Sequence, residues 1–156
     1  MSDPSLINNA QVEHHVSEQA TKINAELLST RPWLQSYQEG VPAHIDIPAY
    51  PLTWLLDNAA HQYPDNTAII YYGHKITYAQ LSTLADRFAV GLQKIGIKKG
   101  DRVAIALPNI PQYPIVFFGA LRAGAVVVPT NPLYTERELS HQLNDSGATV
   151  IVMLDT

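Results

Sequence analysis

The residues with the most chemical promise are two glycines. In the stretch FFGALRAGAVVVPTNP, Phe117 to Pro132, Gly119 and Gly124 are separated by four residues beside an apolar run. This is the glycine spacing of a phosphate-binding P-loop, in which backbone N–H groups cradle phosphates, a lysine reaches them and a hydroxyl holds magnesium. The remainder of that motif is missing, because Ala125 and Val126 stand where Lys and Ser/Thr are required. The context is also inverted: the glycines lie in and after a predicted helix and lead into a strand. No G-x-G-x-x-G dinucleotide fingerprint occurs in the chain. The pair is therefore expected to serve packing, with Gly119 permitting close helix approach and Gly124 capping the helix.

The other polar candidates have plain structural explanations. His14 and His15 are neighbours, and neighbours on a helix point about 100° apart, so they share no face for a metal. His61, His74 and His141 fall near predicted element ends or turns. Glu136 and Glu138 lie in a helix's first turn, where carboxylates suit the positive end of the dipole. Asp101 fits a turn before a strand. Asn131, held between Pro129 and Pro132 in a strand-to-helix loop, is the polar residue least explained by structure. Tyr113, Phe117 and Phe118 suit either an apolar pocket or the core, and the core is the simpler assignment. No catalytic, cofactor-binding or metal-ligating residue is assigned.

The elements that position these residues follow from periodicity and punctuation. Val12, Val16, Ile23 and Leu27 are roughly in helical phase within a polar N-terminal segment. Pro32, Pro42, Pro48 and Pro51 then imply an extended arm without regular structure, anchored by Trp33 and Tyr37. The domain organisation expected is residues 1–51 as this segment and arm, and 52–156 as an α/β layer. A short helix is predicted from an N-cap at Thr53 to a stop before Pro64. A strand follows near Ala68 to Tyr72, then a turn at Gly73-His74 and a short return strand at Lys75-Ile76. Thr77 and Gln80 have capping-box spacing and open a helix with Leu81, Leu84, Phe88, Leu92 and Ile95 in phase, ending at Gly96. Next come a strand from Arg102 to Leu107 and a helix with Pro111 near its first turn and apolar residues almost all round. A short buried strand, AVVVP, follows. Thr135 and Glu138 form a second capping box, and ATVIVMLD is the last strand. The order β, β, α, β, α, β, α, β implies an α/β fold: a parallel-sheet layer flanked by helices, with ligands expected beyond the carboxyl ends of its strands.

Composition narrows the function classes. Hydrophobic residues make up 46% of the 156 residues and charged residues 15%, enough for a real core. Net charge is −4 and the ten Lys and Arg residues are scattered, so there is no nucleic-acid footprint. The absence of cysteine excludes disulfides, thiolate nucleophiles and Cys-based zinc sites. The N-terminus lacks the basic and apolar regions of a signal peptide, and the apolar run from Ile115 to Val128 is broken by Arg122, so a soluble intracellular protein is expected.

Longer runs carry a resemblance. PNIPQYPIVFFGALRAGAVVVPTNPLYTERELSHQLNDSGA, preceded by ITYAQL and GIKKGDRVAIALPN, resembles the front of the adenylate-forming enzymes. ITYAQL is similar to their first core motif and LRAGAVVVPTNP to their second. The arm RPWLQSYQEGVPAHIDIPAYPLTWLLDNAAHQYPDNTAII resembles bacterial long-chain fatty acid–CoA ligases, as does NPLYTERELSHQLNDSGA. The resemblance runs from about Arg31 to Thr156. It implies the N-terminal subdomain of an enzyme that joins ATP and a fatty acid to acyl-AMP and then transfers the acyl group to CoA. ATP, Mg2+ and CoA are implied for the parent enzyme, and tight binding of none of them is expected here. The family's phosphate loop, adenine motif, ribose-binding Asp and catalytic Lys lie further along than any residue of this chain, so the chain alone is expected to be inactive. Cytoplasmic location is implied, with peripheral contact at the inner membrane face and a homodimer or other self-association left open. Two alternatives stay open: a natural truncated product acting as a binding or oligomerisation module, and an independent flavodoxin-like nucleotide binder, which lacks a phosphate-loop signature.

Overall fold

The computed structural model describes residues 21–22 and 25–155, which form two compact units, Met1–Pro48 and Ala49–Thr156. His14, His15, Val12, Val16 and Ile23 lie outside the described residues.

In the first unit, residues 25–30 are helical, with Leu27 and Leu28 exposed. Arg31 takes a left-handed conformation, φ 47°, and Pro32–Ser36 make one turn of 3-10 helix. Proline at its first position suits that turn, since the missing N–H has no partner to lose. The arm is therefore less irregular than its prolines imply. The expected anchors Trp33 and Tyr37 stay 43% and 44% exposed. From Val41 the chain runs without helix or strand pairing, bending once at Ala43.

The second unit holds α1 (Thr53–Gln62), β1 (Thr67–Tyr71), β2 (His74–Thr77), α2 (Tyr78–Lys94), β3 (Arg102–Ala106), α3 (Gln112–Arg122), β4 (Val126–Pro129), α4 (Glu136–Ser146) and β5 (Val150–Met153). The element order matches the sequence pattern, but the strands divide into two sheets. β1 and β2 pair antiparallel as a hairpin of their own, while β4-β3-β5 form a three-stranded parallel sheet. The hairpin turns through Tyr72 and Gly73, both at positive φ, so it closes too tightly to feed a parallel crossover.

β3 is the central strand and is buried on both faces. Val103, Ala104 and Ile105 are fully buried and Ala106 is 5% exposed. Full burial of Val103 and Ile105 contributes about 1.5–3 kcal/mol each. The strand after α3 is one residue shorter than AVVVP, starting at Val126, and lies at an edge of the three-stranded sheet; Val126 is 49% exposed rather than buried.

α2 and α3 pack side by side through small residues. Ala85 and Ala89 on one helix, Gly119 and Ala120 on the other and Ala123 at its C-cap are all buried. A Cβ on Gly119 would sit 2.8 Å from the Ala85 carbonyl oxygen and 2.9 Å from Phe88 Cδ1, so only glycine allows this approach. Gly124, at φ 81°, ends α3 in the left-handed conformation. Both glycines of the apparent P-loop spacing thus perform packing roles. Phe118 packs with Leu56, Leu81 and Ala85, and Tyr113 and Phe117 pack with Ile105, Leu107 and Val116, which assigns all three aromatics to the core.

Both capping boxes are present, Thr77 with Gln80 and Thr135 with Glu138. Thr53, by contrast, is the first residue of α1 rather than its cap. Leu52 holds the cap position and no side chain bonds the helix end. Ile95 caps the end of α2 and is 67% exposed, so the apolar stripe of that helix ends at Leu92.

Candidate functional site

In a parallel sheet the strand carboxyl ends face one way, and the loops that leave them are free of ladder bonding. Here Ala106 is level with Met153, and Ile105 with Pro129. The three ends therefore form one rim. The loop after β4 is fixed to it by Thr130, whose N–H donates to the Ile105 carbonyl at 3.0 Å. Thr130 is buried, and its hydroxyl donates to the Val128 carbonyl at 3.1 Å. Sequence reasoning passed over this residue, because a threonine inside an apolar run carries no signal beyond its position after the strand.

Asn131 stands next on the rim, as its place in the sequence predicts. Its side chain is spent on the loop: Oδ1 accepts from the Leu133 N–H at 3.0 Å, and its carbonyl accepts from the Tyr134 N–H at 3.2 Å. This Asx turn carries the chain from β4 to the Thr135 cap of α4. The rim encloses a pocket of about 190 Å³ lined by Ala106, Pro108, Pro132, Leu133, Met153 and Leu154. Every lining side chain is apolar. The pocket can seat an apolar group and offers no acid, base or nucleophile. A larger groove, about 420 Å³, is lined by residues of β2 and α2 from Ile76 to Arg87 and by none from the parallel sheet.

The remaining candidates are dispersed. His61, His74 and His141 are exposed at helix or strand ends and on α4. Among the described residues, no three His, Asp or Glu side chains gather to hold a metal. Asp101 accepts from the Lys98 N–H at 2.7 Å and closes the turn before β3. Glu138 accepts from the Thr135 N–H and hydroxyl, both at 2.8 Å. The backbone donor first, and the hydroxyl second, hold its carboxyl below the usual carboxylate range. That shift belongs to a helix cap and not to an acid/base pair.

The most connected polar side chain is one the sequence marked only as a break in an apolar run. Arg122, at the end of α3, has a side chain 13% exposed. Its Nη1 donates to the Ser82 carbonyl at 2.7 Å and to Asp86 Oδ1 at 2.9 Å. Its Nη2 donates to Ser82 Oγ at 2.9 Å and to Asp57 Oδ1. One guanidinium thereby joins α1, α2 and α3. Both Nη atoms thus bond protein groups, two each, which makes the side chain a clamp and leaves its Nη fork no place for a phosphate.

Comparison with known proteins identifies the family. The family model of the AMP-binding enzymes matches residues 56–156. A long-chain-fatty-acid–CoA ligase of Bacillus subtilis is 46% identical over 127 residues, covering 81% of this chain and 23% of its own length. One from Yersinia pestis is 50% identical over 124 residues, covering 78% of this chain and 22% of its own. Among solved structures, a Mycobacterium tuberculosis fatty acyl CoA synthetase superposes with a TM-score of 0.62 at 39% identity, over 65% of this chain and 20% of its own. The N-terminal subdomain of Klebsiella oxytoca NpsA gives 0.64 at 31% identity, over 67% of this chain and 28% of its own. The chain thus spans about a quarter of the length of the curated relatives it matches. With its helix pair, its parallel sheet and its core motifs all inside the matched residues, the chain belongs to the family of AMP-binding enzymes.

Proposed function

We propose that this chain is the N-terminal portion of a fatty acid–CoA ligase. The whole enzyme would activate a long-chain fatty acid with ATP, release pyrophosphate, and transfer the acyl group from acyl-AMP to CoA, with Mg2+ offsetting phosphate charge. The observation that carries this reading is the 46–50% identity to long-chain-fatty-acid–CoA ligases across both the arm and the α/β unit. The work proposed for this portion is structural. It supplies a packed helix pair and a three-stranded parallel sheet whose carboxyl ends would border the site. No residue of the chain is assigned to ATP, Mg2+ or CoA, because Gly119 and Gly124 are committed to packing and Arg122 to its clamp. Alone, the chain is inactive in this reading. The enzyme would work in the cytoplasm with peripheral access to the inner membrane face. No helix among the described residues is long and apolar enough to cross a membrane.

A chimera tests this. Residues 31–155 of this chain replace the matching segment of the Bacillus subtilis ligase, and acyl-CoA formation from a long-chain fatty acid is measured. Retained activity is expected. A folded chimera that forms neither acyl-AMP nor acyl-CoA would overturn the reading.

A further inference from the structure

The groove beside α2 combines an apolar floor with an unengaged cation. Its volume of about 420 Å³ is lined by Ile76 of β2 and by Ala79, Gln80, Thr83, Leu84 and Arg87 of α2. Ile76, Ala79 and Leu84 are half-buried. Ile76 is held from below by packing on Leu56, Leu81 and Ala85. Residues three and four apart on a helix are neighbours, so Ala79, Thr83 and Arg87 form one ridge and Gln80 and Leu84 the next. From Ala79 to Arg87 the ridge runs roughly 12 Å, at 1.5 Å per residue. Arg87 stands exposed at its far end. Among the described residues it has no hydrogen-bond or ion-pair partner. The positions one helical turn away, Thr83, Leu84, Val90 and Gly91, carry no carboxylate. Asp86, its neighbour in sequence, is engaged by Arg122 at 2.9 Å. The other polar groups of the groove are partly spent. Gln80 Oε1 accepts from the Thr77 N–H at 2.9 Å, and the Thr83 hydroxyl donates to the Ala79 carbonyl at 2.9 Å. The Arg87 guanidinium keeps its donors open.

We propose that this groove binds a straight-chain aliphatic carboxylate. The carboxylate sits on Arg87, and the alkyl chain lies over Leu84 and Ala79 toward Ile76. The planar guanidinium fork matches a carboxylate in both shape and charge. The apolar floor takes methylenes out of water. An alkyl cation would meet a like charge at Arg87, a neutral alcohol would lose the fork, and a short anion would lose the floor. The groove is open and Arg87 is solvated, so each contribution is modest and the binding is weak. The inference goes beyond the ligase reading and uses only the groove's own residues, so this binding and the activity of the chimera can fail separately.

The isotope-labelled chain is titrated at neutral pH with octanoate, hexanoate, 1-octanol and acetate, and amide NMR shifts are followed residue by residue. Octanoate is expected to give saturable shifts concentrated between Ile76 and Arg87. Hexanoate should bind about fourfold more weakly, the effect of two half-buried methylenes. 1-Octanol should bind about fivefold more weakly than octanoate for want of the ion pair, and acetate should give no saturable shift. Arg87→Gln should lower octanoate to the level of 1-octanol and leave 1-octanol unchanged. Thr83→Trp should fill the groove and remove both. Positions 83 and 87 are exposed, so these variants leave the buried face of α2 untouched. Octanoate binding Arg87→Gln as tightly as the native chain would overturn the proposal. So would binding indifferent to Thr83→Trp, or shifts as large at the exposed Ile45, Ile47 and Leu133 as along the groove.

Discussion

Arg122 on α3 donates to the carbonyl oxygen of Ser82 on α2 at 2.7 Å, 40 residues away in sequence, and bonds the Ser82 hydroxyl with the other arm of the same guanidinium. A mid-helix carbonyl already accepts from its own helix. The additional charged donor fixes the height of α3 along α2, and the bond to Asp57 extends the restraint to α1. This relationship ties the three helices to one another at a single side chain.

Replacing Arg122 by leucine is predicted to cost about 2–3 kcal/mol in denaturant unfolding, since it removes charge-assisted bonds around a part-buried hydroxyl. Arg122→Lys is predicted to recover less than half, because an ammonium cannot reproduce the fork. Asp86→Asn should cost under about 1 kcal/mol, as its carboxylate is mostly solvated. Equal effects of the leucine and lysine variants would show that charge alone matters.

Gly119→Ala is predicted to destabilise the α2–α3 pair. Alanine ordinarily favours a helix by about 1 kcal/mol over glycine. Here its Cβ would press against backbone, the Ala85 carbonyl at 2.8 Å, which cannot swing away. A net loss of about 1–3 kcal/mol is expected. A gain in thermal midpoint would mean that the helices separate freely.

These sites show what the sequence makes legible. The capping boxes at Thr77 and Thr135 and the stops at Gly96 and Gly124 depend on residues within one helical turn, and local spacing exposes them. The packing role of Gly119 follows from the missing lysine and the inverted helix-strand order. Arg122 is different. Its partners lie 36 to 65 residues away, and no local pattern announces that Asp57, Ser82 and Asp86 converge. The exposure of Val126 was hidden for a similar reason: a short apolar run looks the same at an edge as in the centre of a sheet. The apolar rim pocket joins Pro108, Pro132 and Met153 across three strands, so only the sheet order brings it together.

Glu138 gives a pH prediction. Its carboxyl is depressed below 4.5 by the Thr135 donors. A depressed folded-state value means stabilisation that is complete above the unfolded value and lost as pH falls through the folded one. Glu138→Gln keeps an acceptor but removes the charge. The thermal midpoint of the native chain should therefore exceed that of the variant at neutral pH, and the gap should close below about pH 4.5. A gap that is constant with pH would assign the cap to geometry alone.

Asn131→Ala is predicted to loosen the β4–α4 loop by removing the acceptor for the Leu133 N–H. The cost should be about 1 kcal/mol, with protection from hydrogen exchange lost at Leu133 and retained at Ile105. Unchanged exchange at Leu133 would show that the loop holds without its Asx turn.

The central claim is that this chain is the scaffold of an AMP-binding enzyme and carries no nucleotide site of its own. Calorimetric titration of the folded chain with Mg-ATP tests it most directly. The account predicts no saturable heat. Saturable binding would contradict it and would make the rim around Asn131 and Thr130 the first place to locate the phosphates.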